Sequence, residues 1–74
     1  MNPLKKLTIE KAQDSVDDIE AIAYDDEAAH SEEDKLRGWF IECMAAGMYG
    51  KKEAIRIAEI ILKTGQIKFA RWCA

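Results

Sequence analysis

The chain has 74 residues, of which 49% are hydrophobic and 34% charged, with one proline, four glycines and a formal net charge of −3. Such a chain holds one domain at most, and it is too apolar and too poor in proline and glycine for disorder or low complexity. No run approaches the roughly 18 apolar residues that span a bilayer, and the first seven residues (MNPLKKL) lack the apolar core of a secretory signal. The expected setting is therefore a cytoplasm, with Cys43 and Cys73 reduced.

Residues 1–7 read as a flexible arm. Thr8 then offers a helix N-cap with Glu10 in the first turn. Ile9, Ala12, Val16, Ile19 and Ala23 recur at spacings of three and four, while Asp14, Asp17, Asp18 and Glu20 fall off that stripe. This is an amphipathic helix over about 8–23. No glycine or proline interrupts residues 24–35. Asp25 or Asp26 can still cap a new helix, and Glu27 suits its first turn. The spacing predicts a second helix over about 26–47; one long continuous helix is the alternative.

Residues 39–49 (WFIECMAAGMY) carry a single charge, Glu42. A helix apolar on all sides is buried on more than one side. Trp39 and Phe40 point about 100° apart, so two short neighbouring helices are expected to cover only part of the segment. The remainder predicts a homodimer or higher oligomer whose interface uses Trp39, Phe40, Met44, Met48 and Tyr49. The glycines at 47 and 50 end this helix. Ala54, Ile57, Ala58 and Ile61, widened by Ile55 and Leu62, give a third helix over about 51–64, with Gly65 as its C-terminal stop. In the tail, 65–74, Ile67, Phe69 and Trp72 are expected to clip onto the helices. The fold class expected is all-α: a compact three-helix bundle with a docked C-terminal tail, in an oligomer.

Charge divides the chain. Residues 1–37 hold five bases and eleven acids; residues 38–74 hold six bases and three acids. Asymmetry of this kind steers encounters, although the halves can equally neutralise each other across the fold. The acidic surface of the first two helices is the candidate contact for a partner, centred on Asp25, Asp26, Glu27, Glu33 and Asp34. The overall charge is too small for a protein that imitates DNA over its whole surface.

Residues for chemistry are scarce. Asp26, His30 and Glu33 or Asp34 share a helix face, but a single histidine and remote cysteines fall short of the usual ligand sets, so no metal or other cofactor is expected. Ser31 adjoins His30 in sequence, yet consecutive helical residues do not face each other. No phosphate-binding loop or nucleophile elbow is present. An enzyme is not expected. Lys51, Lys52, Arg56, Lys63, Lys68 and Arg71, with Phe69 and Trp72, suggest a second reading as a small DNA-binding regulator. The acidic first half and the apolar third helix weigh against it. A third reading is an oligomer that holds a small ligand between subunits.

Residues 25–36 (DDEAAHSEEDKL) and 67–74 (IKFARWCA) resemble segments of small helical phage and prophage accessory proteins. The resemblance implies a protein of the host-cell cytoplasm that binds a host protein, including one of a defence system, and inhibits it. It assigns no role to any individual residue.

Overall fold

The computed structural model describes residues 4–71. Three α-helices follow one another: α1 (Ile9–Ala21), α2 (Asp26–Ala45) and α3 (Lys51–Leu62), the last running into a 3₁₀ turn, Lys63–Gln66. No strand occurs among the described residues. The all-α, three-helix architecture expected from the periodicity is the one found.

Each boundary has a local cause. Thr8 is extended, and its Oγ1 accepts the Lys11 N–H at 3.1 Å, which starts α1. Between the first two helices the chain turns over residues 22–25 without glycine or proline. Asp25 makes this work: its extended backbone breaks the helix, and its carboxylate accepts the Ala28 N–H at 3.1 Å to open α2. At the far end of α2, Gly47 takes φ = 71°. The Gly47 N–H then reaches the Met44 carbonyl and the Met48 N–H reaches the Cys43 carbonyl, the paired closure that a left-handed residue permits. Gly65 plays no such part, because Gly47 is the one residue of positive φ among those described. α3 ends instead by tightening into the 3₁₀ turn, where the Thr64 hydroxyl donates to the Ile61 carbonyl at 2.9 Å.

The core is drawn from every element. α1 contributes Ala12, Val16 and Ile19; α2 contributes Ala29, Leu36 and Cys43; α3 contributes Ile57, Ile60 and Ile61. α1 packs against both other helices, more extensively on α3. The tenth core residue is Leu7, fully buried although it precedes the first helix.

Leu7 marks the main departure from expectation. Residues 4–7 are not a loose arm; the chain lays this segment across the aromatic end of α2. The Trp39 indole N–H donates to the Lys5 carbonyl at 2.7 Å, and the Tyr49 hydroxyl donates to the Leu7 carbonyl at 2.6 Å. Cys43 Sγ lies 3.4 Å from both the Leu7 amide and the Lys5 carbonyl. Lys6 adds an ion pair with Glu53 at 2.9 Å and sits over the Tyr49 ring. Aromatic side chains with a polar tip seek a partner when buried, and an extended segment offers free carbonyls. The arm supplies what two helices alone could not.

Candidate functional site

The tail is fastened at one point. Arg71 forms a two-pronged ion pair with Glu33, Nε to Oε1 at 3.0 Å and Nη2 to Oε2 at 3.2 Å. The same guanidinium donates to the carbonyls of Thr64, Ile67 and Phe69 and stacks 3.9 Å from the centre of the Phe69 ring. Arg37 approaches Glu33 at 3.9 Å and donates to the Thr64 hydroxyl. Asp26 accepts the Ala70 N–H at 3.0 Å. Burial by itself would raise the Glu33 carboxyl. The hydrogen bonds from Arg71, the neighbouring Thr64 hydroxyl and the charges of Arg71 and Arg37 together outweigh that, so it titrates below its ordinary value of 4.5.

This arrangement redistributes the acidic contact expected from sequence. Glu33 is only 4% exposed and belongs to the interior. Asp25 is the α2 cap and Asp26 holds the tail. Asp34 lies on the surface, 3.5 Å from His30 Nε2, and Glu27 is exposed. The five do not form one surface, because three of them have structural work within the chain. The acids that do line up outward are on α1, where Glu10, Asp14, Asp17, Asp18 and Glu20 are exposed and none forms an ion pair with a described residue.

Most of the residues expected at an oligomer interface are packed within the chain. Trp39, Phe40, Met48 and Tyr49 are half-buried against the chain's own core, with Phe40 stacked on Tyr49 at a centroid distance of 5.7 Å. Met44 alone of that set is exposed. It belongs to a different face, between α2 and α3. There Ile41 (64% exposed), Met44 (46%), Ile55 (49%) and Leu62 (65%) stand open to solvent. Beneath them Arg37, Phe40, Ala58 and Ile61 help line a groove of about 250 Å³. The spacing of Arg37, Phe40, Ile41 and Met44 places one row along α2, and that of Ile55, Ala58 and Leu62 places a second along α3.

Sequence reasoning assigned Ile55 and Leu62 to the buried stripe of the third helix. Their separation of seven residues, with Ala58 three after the first and four before the second, is the sign in the sequence that they form a second stripe.

A larger open cleft of about 660 Å³ lies between α1 and the 3₁₀ turn, with Asp17, Glu20, Lys63 and Lys68 on its walls. No three potential metal ligands converge among the described residues. No helix among them is long and apolar enough to cross a membrane. Trp72 and Cys73, expected in the tail, lie outside the described residues. Comparison with protein-family models, curated proteins and solved structures finds no match to this chain.

Proposed function

We propose that this is a non-enzymatic protein that acts by protein–protein contact, and that the α2–α3 face is where the contact forms. One observation carries the reading: Ile41 and Leu62, both largely exposed, line one apolar groove between α2 and α3, and helical spacing sets the exposed Met44 and Ile55 on the same two rows. Isolated exposed apolar residues are ordinary, but a contiguous group marks an interaction surface. The outward acids of α1 form a second surface, which would draw in a basic partner and set the rate of encounter more than the final affinity. This role fits the phage-accessory resemblance, with the α1 acids as the surface offered to a host protein in the host cytoplasm.

A nucleic-acid reading has one observation in its favour. Lys52 and Arg56 on α3 and Lys63 at the start of the 3₁₀ turn recur at spacings of four and seven and pair with no described acid. Glu59 lies among them, and the α1 acids oppose a phosphate backbone.

The test is to place a photo-reactive amino acid at position 41 or 62 and to irradiate bacterial cells expressing the chain. Protein adducts at both positions are expected. Nucleic-acid adducts, or none, would defeat the reading.

A further inference from the structure

We propose that the α2–α3 face is the two-fold interface of a homodimer, in which α2 of one copy lies along α3 of the other; this rests on the protein-contact reading above and names the partner. The first support is area. The exposed parts of Ile41, Met44, Ile55 and Leu62 amount to something on the order of 400 Å², the size of the largest apolar patch on a typical monomer, which is often a functional one. A standard interface needs about 800 Å² from each partner. In homodimers about 65% of that is apolar. The four side chains with Phe40, Ala45 and Ala58 come close to that apolar share.

The second support is the charge on the two flanks. Beside the apolar row, α2 carries Glu27 and Asp34 on its exposed surface, two heptads and one heptad before Ile41; Arg37, the base on the row itself, is engaged by Glu33 and Thr64 of its own chain. α3 carries Lys51 and Lys52 around its row, and Lys63 follows at the start of the 3₁₀ turn, against a single exposed acid on α3, Glu59. A symmetric dimer can close on this face in two ways. A two-fold axis across the groove sets α3 on α3 and brings Lys51 towards Lys63 of the second copy, base against base. An axis along the groove sets α2 on α3 and brings acids to bases. Charge selects the second arrangement.

The register then follows from a bond within one copy. Arg37 Nη2 donates to Thr64 Oγ1 at 3.2 Å, so the turn of α2 holding Asp34 is level with the start of the 3₁₀ turn at Lys63. An axis along the groove preserves that level. Asp34 of one copy therefore faces Lys63 of the other, and the pair occurs twice. Ile41 falls against Ala58 and Leu62 of the second copy for the same reason, since these three line one groove. The dimer leaves the acids of α1 facing outward on both copies, a bivalent display for a basic partner.

The experiment is sedimentation equilibrium on the full chain, diluted from ~100 μM, a concentration at which any association with a micromolar Kd is visible. A dimer is expected. I41Q/L62Q should be monomeric with an unchanged far-ultraviolet circular dichroism spectrum. D34K should weaken Kd about tenfold, because a like-charge contact is introduced twice. D34K/K63D should recover most of that loss. A monomer at the highest concentration overturns the proposal, as does a dimer indifferent to I41Q/L62Q. A charge swap that fails to restore association overturns the proposed arrangement. A monomer that still forms adducts with another protein at positions 41 and 62 would sink the dimer alone and leave the protein-contact reading standing.

Discussion

The two long sides of α2 carry similar residues and meet different fates. On one side Trp39, Cys43 and the neighbouring Tyr49 are covered, each with a polar atom matched to the backbone of residues 5–7. On the other, Ile41 and Met44 face solvent. Hydrophobicity alone does not separate them. What separates them is that Trp, Tyr and Cys carry donors, and a passing backbone segment can bond to donors while it buries the rest of the ring or thiol. Ile and Met offer that segment nothing but area. The polar tips of apolar residues thus decide which side is closed by the chain itself.

The sharpest way to break this contrast is at Leu7. L7A should cost about 3 kcal/mol in urea unfolding, the usual loss for a fully buried leucine. It should also release the covered side, seen as a fall in near-ultraviolet circular dichroism. A cost near zero would mean that the arm does not close that side.

The next largest effect concerns the tail. R71A leaves the buried Glu33 carboxylate without its two-pronged partner, and about 2 kcal/mol of stability should be lost at neutral pH, the usual scale for hydrogen bonds to a charged group. Acidification tests the same pair with the opposite handle. Because the folded-state Glu33 value is depressed, its stabilisation is fully present above the ordinary carboxyl range and is lost as pH falls through the lower folded value. Native protein should therefore lose stability below about pH 4.5 more steeply than R71A does, as read from the Tm at successive pH values.

The smallest effect is on the open side. I41Q removes apolar area that the folded single chain leaves in water, so at concentrations low enough for isolated chains its unfolding free energy should change by less than about 0.5 kcal/mol. A larger loss would mean that Ile41 is packed within one chain.

Much of the helix layout was legible because core spacing and caps are local properties. Thr8 and Asp25 declare helix starts through short side chains that bond their own backbone. Gly47 declares a stop. The observed helices are shorter than the spans expected, 9–21 against 8–23 and 26–45 against 26–47, because periodicity runs on through residues whose backbone has already turned.

The arm was illegible for a different reason. Its partners are backbone carbonyls, which every residue possesses and no sequence pattern advertises. Glu33 was hidden by company: it sits in a run of acids beside Glu32 and Asp34. Its sign was position, since it falls between Ala29 and Leu36 on the buried stripe of α2. Charge counts placed Asp25, Asp26 and Glu33 with the outward acids because they do not reveal which carboxylates already have partners within the chain.

The coverage of Trp39, Cys43 and Tyr49 by residues 5–7 also fixes an order of events during synthesis. The bonded partners are separated by 34 to 42 residues. At ~5–20 residues per second a ribosome needs a few seconds to make that length. The arm leaves the ribosome first and is already waiting when the aromatic segment emerges. The covered side of α2 can close as soon as it appears, whereas the open side is left for whatever the finished chain meets.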